Sequence, residues 1–248
     1  MVTNGWLLTR ERAHTLLDLG MKSVTLSIDG LEATHDGFRG REGSWRRAID
    51  GLRHLVELRA TALDVVTCTF PGNLGELDKL RDLLHDVGIR HWRIFPIFPK
   101  GRAREDEELI FDADGLGRLM DWIASSRRTE GLQPDFCCEG YLPPAVDRAV
   151  RDEPYFCRAG ICIASVLHDG AISACPNIDR ALVQGNVRTD DFMKIWEDGF
   201  EPYRDRSWLR KGECAVCREW KRCQGNSLHL YDPETGGPVR CHYKELSS

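Results

Sequence analysis

The chain has 248 residues, enough for one large domain or two smaller ones that bury a core without disulfide staples. Its formal net charge of −5 argues against a general nucleic-acid binder. No apolar run reaches transmembrane length and no secretory signal peptide is visible, so we expect a cytoplasmic protein whose thiols stay reduced. In that setting its ten cysteines indicate metal or redox chemistry more than disulfides.

Three short apolar runs in the first half predict β-strands, and a helical pattern follows each of them. The runs cover residues 23–30, 63–70 and 91–98, and a strand stub at Val2–Thr3 precedes them. This alternation predicts an α/β fold with parallel strands and right-handed crossovers. Three or four parallel strands leave sheet edges unpaired. We therefore expect either preceding strands on a longer chain or a second chain that completes the sheet.

Helix signals separate these strands. The first helix is predicted to begin near Thr9, and Ser44 is the predicted N-cap of the second. Asn73 and Glu76 are spaced as a capping box for the third helix. A fourth helix is predicted to begin at Asp112. Its apolar face follows the i, i+3, i+4, i+7 pattern at Leu116, Leu119, Met120 and Ile123.

Polar residues at the carboxyl ends of the predicted strands are candidates for function, because ligands bind at that edge of parallel sheets. They are Asn4, Ser27, Asp29, Thr67, Thr69 and the turn at residues 95–102. Two plainer interpretations stay open: Ser27 and Asp29 satisfy a turn, and Arg39 is a solvated loop charge. The charged stretch 100–108 is predicted to be an exposed loop.

The second half, from about Arg127, is organised by cysteines. Cys137 and Cys138 are adjacent, without an assigned role. Asp169-Gly170 between apolar runs predicts a β-hairpin, which returns Cys175 toward Cys157 or Cys162. A short helix is predicted at residues 191–196.

Four cysteines cluster near the end of the sequence. Cys214-x2-Cys217 is a chelating pair that Cys223 and Cys241 can complete, around either a zinc ion or an iron–sulfur cluster. A thioredoxin-like redox pair and buried free thiols are the weaker alternatives. Cys68 is predicted to be a buried filler of its strand. Three histidines are either ligands or ordinary surface and core residues: His168, His229 and His242.

These motifs resemble a known family. The pattern Cys157-x12-Gly170-x4-Cys175, then Cys214-x2-Cys217-x5-Cys223, then Cys241, resembles the SPASM domain of radical SAM enzymes. The first half resembles the C-terminal part of a partial (β/α)6 radical SAM barrel, followed by this cysteine-rich SPASM-like extension. The implied domains are the barrel units at 1–126, a connector at 127–156 and the SPASM-like domain at 157–248. The whole chain is similar to proteins of the rSAM/lipoprotein systems.

The resemblance implies a peptide or protein maturase that uses S-adenosylmethionine (AdoMet) and [4Fe–4S] clusters. Such enzymes cleave AdoMet reductively to a 5′-deoxyadenosyl radical that abstracts hydrogen from a substrate. The implied AdoMet-site residues are Asn4, Ser27, Asp29, Arg39, Thr67 and Pro96, with Ser27 and Arg39 facing the methionyl carboxylate. The implied auxiliary-cluster ligands are Cys157, Cys162, Cys175, Cys214, Cys217, Cys223 and Cys241.

The sequence departs from the family pattern at three points. No three cysteines have the Cys-x3-Cys-x2-Cys spacing, and the Gly-rich motif of the second strand is also missing, so we expect an N-terminally truncated chain that is inactive alone. Ser227 stands where a cysteine is expected, which removes one thiolate of the first auxiliary site unless Cys162, Cys137 or Cys138 substitutes. Pro176 stands where sulfatase-maturing members place a carboxylate base, which disfavours that activity.

Two other functions remain open. One is a non-catalytic zinc- or cluster-binding module that recognises a peptide or a partner enzyme, and a weaker one is an electron-transfer protein. The expected partners are a peptide or protein substrate and a reductant protein, with no nucleic acid and no membrane span.

Overall fold

The structure, a computed structural model, describes residues 1–137 and 140–247, so Cys138 lies outside the described residues. The chain forms two compact units. The first comprises Met1–Glu139 with Pro144–Glu153, and the second comprises Gly140–Pro143 with Pro154–Ser248. Within the stretch predicted to be a connector, residues 144–153 therefore belong to the first unit.

The first unit is built on a parallel sheet of five strands within the described residues. In sheet order, which is also chain order, they are β1 (Val2–Thr3), β2 (Ser23–Ser27), β3 (Ala62–Thr69), β4 (Trp92–Pro96) and β5 (Pro134–Phe136). The prediction of parallel strands is confirmed, but the predicted number of three or four was wrong. β5 was not predicted because its three residues are too few to show a periodic pattern.

Six helices accompany this sheet in the part of the chain that the structure describes. They are α1 (Arg10–Asp18), α2 (Glu32–Arg39), α3 (Ser44–Glu57), α4 (Leu77–Val87), α5 (Ala113–Ser126) and α6 (Pro144–Val150). Short 3-10 turns lie at Pro71–Glu76, Gly101–Glu105 and Glu107–Leu109. The stretch predicted as a loop therefore contains two of these turns, and it is largely exposed as expected.

Two predicted helix starts are confirmed by side-chain caps. The Thr9 hydroxyl accepts a hydrogen bond from the Arg12 amide at 3.3 Å, and the Asp112 carboxylate accepts one from the Gly115 amide at 2.7 Å. The four apolar residues predicted for the face of α5 are all buried.

Two other predicted caps were wrong. Gly43, with φ +76°, is the N-cap of α3, while Ser44 is its first residue and donates its hydroxyl to Asp36. The Asp36 carboxylate also accepts the Gly43 amide at 2.6 Å and the Trp45 amide at 2.7 Å, so a side chain from α2 performs the capping. Asp36 on α2 therefore supplies the hydrogen-bond acceptors that the local sequence pattern had assigned to Ser44.

The predicted capping box at Asn73 and Glu76 instead joins two loops. The Asn73 amide group donates to the carbonyls of Asp29 and Cys68 at 2.8 and 2.9 Å. The Glu76 carboxylate accepts the Leu31 amide at 2.9 Å. These side chains fix the loop after β3 to the loop after β2, where two functional candidates lie.

The second unit is rich in short elements. They are β6 (Ser165–Val166), β7 (Ala171–Ser173), β8 (Gly185–Asn186), α7 (Phe192–Lys194), α8 (Glu201–Arg204), α9 (Gly212–Ala215), α10 (Trp220–Cys223), β9 (Tyr231–Asp232), β10 (Gly237–Pro238) and α11 (His242–Glu245). Short 3-10 turns lie at Arg180–Leu182, Ser207–Leu209 and Leu228–Leu230, and a π-turn lies at Ile195–Gly199. β6 and β7 form the predicted antiparallel hairpin, and Asp191 caps the predicted short helix.

The core of the second unit is small and partly aromatic. Ile172, Phe200, Tyr203 and Leu228 are fully buried there. Cys157 and Cys175 pack against the same core and are half-buried. Across residues 1–137 and 140–247, no helix has both the length and the apolar character that crossing a lipid bilayer requires.

Candidate functional site

A cavity of about 880 Å³ opens at the carboxyl ends of the strands in the first unit. Asn4, just after β1, and Arg39, at the end of α2, both line it. Its walls also include Cys68 at the end of β3 and the aromatic rings of Phe95 and Phe98 around the end of β4. The structure thus brings two of the predicted AdoMet-site residues into one cavity. Cys68, which was predicted to be a buried filler of its strand, is half-buried and lines the same cavity.

Asp29 lies beneath this cavity and fixes the residues around it. Its side chain is fully buried, and one carboxylate oxygen accepts the Cys68 amide at 3.0 Å. The other oxygen accepts both Nε and Nη2 of Arg39, each at 2.6 Å. Such a charge-assisted contact is stronger than a neutral hydrogen bond. Asp29 therefore orients Arg39, whose side chain stays 29% exposed.

His35 completes this arrangement and was not among the predicted site residues. Its Nδ1 accepts the backbone amide of Asp29 at 3.0 Å. Burial lowers the pKa of His35, against the opposing effect of the Asp29 carboxylate. A neutral ring with Nδ1 as acceptor carries its proton on Nε2. The signal in the sequence was the spacing of His35 and Arg39, one helical turn apart on α2, a helix that we had not predicted.

The other predicted AdoMet-site residues do not line the cavity. Thr67 is buried within the sheet, where its hydroxyl donates to the Ile28 carbonyl at 2.6 Å and accepts from Trp92 at 2.8 Å. Ser27 is half-buried at the end of β2, and Pro96 is buried at the end of β4. These residues lie in the layer that supports the cavity rather than on its surface.

The sheet also carries a polar network that the sequence reading missed. Arg93 Nε donates to Asp64 at 2.6 Å, and the Thr25 hydroxyl donates to the same carboxylate. The three residues lie on adjacent strands and line a second cavity of about 620 Å³ toward the strand starts. Arg93 Nη1 also lies 4.0 Å from the sulfur of Cys137.

In the second unit, the four clustered cysteines interact electrostatically with one another. Burial, and then the nearby thiols, raise the pKa of Cys214 and of Cys241. The same causes raise the pKa of Cys223 to about 12. Cys217 is one of the neighbouring thiols that interact electrostatically with Cys214 and Cys241. Half-buried thiols that repel one another as thiolates are a donor set that a bound cation stabilises.

This donor set therefore fits a zinc ion or an iron–sulfur cluster by its chemistry. Among the described residues, however, no three Cys, His, Asp or Glu side chains converge as closely as metal ligands do. The thiols are close enough to interact electrostatically, and binding one centre would require their side chains to turn toward it.

The other three predicted ligands lie apart from this cluster in the sequence. Cys157 and Cys175 flank the core of the second unit, whereas Cys162 is exposed. Ser227 is 1% exposed, and its hydroxyl lies 2.9 Å from the hydroxyl of Tyr155. Tyr155 in turn interacts electrostatically with Cys157 and with Cys223. Ser227, which stands where a thiolate was expected, therefore forms a buried pair of hydroxyl groups with Tyr155.

Asn226 ties the segments around the four thiols together, and the sequence reading assigned it no role. Its side-chain oxygen accepts the Tyr141 amide at 2.8 Å, and its nitrogen donates to the Arg240 carbonyl at 3.1 Å. Its φ of +75° is a left-handed conformation that Asn tolerates better than most residues. The predicted candidate ligands His168 and His242 are exposed and fully buried, respectively.

Comparisons with known proteins agree with this architecture. Residues 157–224 match the SPASM iron-sulfur cluster-binding domain. The chain is 27% identical over 248 residues to the AdoMet-dependent heme synthase of Methanosarcina barkeri, covering 93% of the chain and 69% of that protein. It is 27% identical over 232 residues to the mycofactocin maturase MftC of Mycolicibacterium smegmatis, covering 91% of the chain and 57% of the maturase.

Among solved structures, the fold is similar to that of native anSMEcpe with bound AdoMet and Cp18Cys peptide. The TM-score is 0.69 at 15% identity, covering 99% of this chain and 71% of that one. The predicted architecture, part of a radical SAM barrel followed by a SPASM extension, is confirmed. The parallel sheet, the cysteine pattern and these relatives together support a radical SAM/SPASM protein, in which residues 157–224 match an iron–sulfur cluster-binding domain.

Proposed function

We propose that the chain forms the AdoMet-binding and auxiliary-cluster parts of a radical SAM enzyme that modifies a peptide. The observation that carries this proposal is the cavity of about 880 Å³ at the carboxyl ends of the parallel strands, with Arg39 held at its wall by the buried Asp29. In open parallel sheets, ligands bind at this edge.

The cavity offers a different chemical group to each part of AdoMet. Arg39 is oriented by Asp29 to receive a carboxylate, since guanidinium groups bind carboxylates through paired hydrogen bonds. The rings of Phe95 and Phe98 supply apolar surface for a purine, and Asn4 supplies hydrogen-bonding groups at the rim. Ser27, Thr67 and Pro96 act from the layer below, by holding the strand ends in place.

In the second unit we propose that Cys214, Cys217, Cys223 and Cys241 hold one auxiliary [4Fe–4S] cluster. A cluster of this kind supplies one-electron chemistry when bound. The first auxiliary site, with Cys157, Cys162 and Cys175, has three thiols and the Tyr155–Ser227 hydroxyl pair where a fourth is expected. A reductant protein is the proposed source of electrons.

Two observations support a peptide as the substrate. The relative MftC is a maturase, and the similar structure of anSMEcpe contains a bound peptide. A tetrapyrrole is the second candidate, because the heme synthase of Methanosarcina barkeri matches 93% of the chain. The alternative is a module that binds zinc or a cluster and catalyses no reaction. It would use the same thiols and would not bind AdoMet.

The test is AdoMet binding by equilibrium dialysis under anaerobic conditions. Arg39→Gln is expected to weaken binding at least about tenfold, because a buried or cleft-bound charged hydrogen bond contributes roughly 1.5–3 kcal/mol. Because no three cysteines have the Cys-x3-Cys-x2-Cys spacing, the same 248 residues with dithionite are expected to release no 5′-deoxyadenosine.

Arg46→Gln is the matched control, since Arg46 is 73% exposed on α3 and pairs only with Glu32 among the ion pairs of the described residues. It is expected to bind AdoMet as the wild type does. If the Arg39 and Arg46 variants bound AdoMet with equal affinity, the cavity would not be the AdoMet site, and the non-catalytic module would be favoured.

A further inference from the structure

The cavity at the carboxyl ends of the strands carries more positive charge than AdoMet binding explains. The charged side chains in its lining are four basic and one acidic, whereas the whole chain has a net charge of −5. The basic ones are Arg39, Arg41, Lys100 and Arg102, and the acidic one is Asp106. The buried Asp29 pairs with Arg39, so three further basic side chains surround the cavity.

AdoMet itself is a cation, because it has a sulfonium and an ammonium group but only a single carboxylate. That carboxylate can accept Arg39, which leaves the other basic side chains facing a positively charged ligand. Like charges in a cleft repel each other unless an anion lies between them. The charge of this cavity therefore predicts a second, anionic ligand beside AdoMet.

Trp6 holds Arg41 at the opening of the cavity. The guanidinium carbon of Arg41 lies 3.3 Å from the centre of the indole ring, and that of Arg47 lies 4.3 Å from it. Arg47 also donates to the Trp6 carbonyl at 3.3 Å. The electron-rich face of an indole attracts cations at such distances. The ring thus brings together two positive charges that would otherwise repel each other.

The turn that carries Trp6 is packed tightly against α3. Gly5 has φ +74°, and a Cβ there would lie 2.8 Å from the Cα of Ala48 on that helix. The side-chain oxygen of Asn4 accepts the Trp6 amide at 3.1 Å. The indole ring is therefore fixed beside the helix that carries Arg47.

Arg41 presents unused hydrogen-bond donors at the cavity opening. It is exposed, and its guanidinium makes no hydrogen bond or ion pair with the residues that the structure describes. A guanidinium that contacts a ring through its flat face keeps its N–H groups for a carboxylate. Arg102, in the 3-10 turn Gly101–Glu105, is also exposed and has no ion-pair partner in the described part of the chain.

In the loop after β4, the basic residues line the cavity and most of the acidic residues do not. Lys100 and Arg102 are part of the lining, whereas Asp106 is the only lining residue among the four acidic residues at 105–108. The sequence predicted only an exposed charged loop here, and the structure separates its charges. We name Arg41, Lys100 and Arg102 the basic rim.

We propose that the basic rim binds carboxylate groups of the substrate, and that the substrate of this site is therefore an anion. A peptide with an acidic segment carries such groups, and so do the acidic side chains of a tetrapyrrole. The negative charge of the substrate also offsets the positive charge of AdoMet beside it. The inference rests on the proposed function for the position of AdoMet, whereas carboxylate binding by the rim does not.

Phosphate groups also bind guanidinium groups, but the nearest helix end disfavours them. Phosphate sites commonly use the free backbone amides at a helix N-terminus. At the start of α3 the amides of Gly43 and Trp45 already donate to the Asp36 carboxylate, at 2.6 and 2.7 Å. The rim therefore offers side-chain donors without a cradle of backbone amides.

The experiment measures the binding of a rhodamine-labelled peptide of alternating Glu and Gly to the full chain, by fluorescence anisotropy at low salt. The comparison peptide has Gln in place of each Glu. We expect the wild type to bind the Glu peptide at least about tenfold more tightly, because charged hydrogen bonds form with that peptide alone. Arg41→Gln/Arg102→Gln is expected to remove most of this preference without weakening AdoMet binding.

A second measurement tests the charge argument. Because the bound peptide offsets the positive charge of the cavity, the Glu peptide is expected to tighten AdoMet binding to the wild type, and the Gln peptide is not. Arg41→Lys/Arg102→Lys keeps both charges and is expected to retain a salt-dependent part of the preference.

The matched control is Arg59→Gln/Arg128→Gln, the same charge change at exposed residues of the first unit. Neither residue lines the cavity, and neither has an ion-pair partner among the described residues. The control is expected to bind both peptides within about twofold of the wild type. Urea unfolding midpoints of all variants check that the fold is intact.

Three results would overturn the inference. They are equal effects of the rim and control variants, a rim variant that weakens AdoMet binding and keeps the peptide preference, and stronger competition by tripolyphosphate than by the Glu peptide. Uroporphyrin, a soluble porphyrin with carboxylate side chains, separates the two sources of carboxylates. If it binds through the rim and the Glu peptide does not bind, the carboxylate site stands and the peptide substrate is wrong. A wild type that prefers the Glu peptide but does not bind AdoMet would overturn the proposed function alone.

Discussion

Cys223 is the residue at which the chemistry of the four-thiol site is most visible. Burial, and then the neighbouring thiols, raise the pKa of its thiol from 9.0 to about 12. The folded protein therefore holds this proton more tightly than the unfolded chain does. The resulting stabilisation is complete below about pH 9 and is lost as the pH rises toward 12.

We therefore predict that the metal-free, reduced protein loses unfolding free energy as the pH is raised from 8 to 10.5. Cys223→Ser is expected to show a shallower loss, because serine does not titrate in that range. The measurement is a series of urea unfolding curves, and Cys162→Ser, which replaces an exposed thiol, is the control. A slope for Cys223→Ser as steep as that of the wild type would contradict the assignment of the shift to Cys223.

At the scale of single residues, the sequence predicted that polar residues lie at the strand ends, but it did not predict which of them line the cavity. Asn4 and Arg39 line the cavity, whereas Thr67 and Pro96 lie in the layer beneath it, and the role of all four in binding AdoMet stays a prediction. Which strand-end side chains face the cavity depends on the side of the sheet to which each of them points, and the strand pattern alone did not assign that side. His35 could not be predicted as a partner of Asp29, since this contact depends on how α2 returns to the sheet.

The β6–β7 hairpin is the element that the sequence predicted most directly, because Asp-Gly between apolar runs favours a tight turn. Gly170 has φ +87°, and a Cβ there would lie 2.6 Å from the side-chain oxygen of Asn186. That oxygen is held by the Arg188 amide at 3.0 Å, so it cannot move away freely. The turn therefore needs glycine for its conformation and for its space.

We predict that Gly170→Ala destabilises the second unit by roughly 1–3 kcal/mol more than Gly236→Ala does. Gly236 has a similar φ of +72° in a turn of the same unit, but a Cβ there would meet open space. The pair isolates the collision with Asn186 from the backbone penalty, which both variants share. The difference between the urea midpoints of the two variants, followed by circular dichroism, measures the destabilisation due to the contact with Asn186. Equal midpoints would show that the Asn186 side chain moves away without loss of stability.

Elements with strong periodicity were predicted well, and elements fixed by tertiary contacts were not. α5 has a capping aspartate and four apolar residues on one face, and both features are present as predicted. β5 has three residues, and it is held by pairing with β4 and by hydrogen bonds from Arg127 and Arg151 to its carbonyls. The cap of α3 comes from Asp36 on another helix, which no local pattern could indicate.

For the whole molecule, the order of the motifs was enough to predict a parallel α/β part followed by a cysteine-rich part. The family match over residues 157–224 falls in the predicted SPASM-like region. The number of auxiliary clusters did not follow from the cysteine count, because Ser227 breaks the pattern and its partner, Tyr155, is known only from the structure. The spacing and the chemistry of the thiols suit zinc and iron–sulfur clusters alike, and the match of residues 157–224 to an iron–sulfur cluster-binding domain favours the cluster.

The central claim is that the thiols of the second unit hold iron–sulfur clusters. Its most direct test is the metal and acid-labile sulfide content of the anaerobically reconstituted chain, together with its visible absorption. We predict iron and sulfide in equal amounts, broad absorption in the visible range, and a loss of about four iron atoms per chain in Cys214→Ala. A colourless protein that retains zinc and no sulfide, in the wild type and in Cys214→Ala alike, would contradict the account.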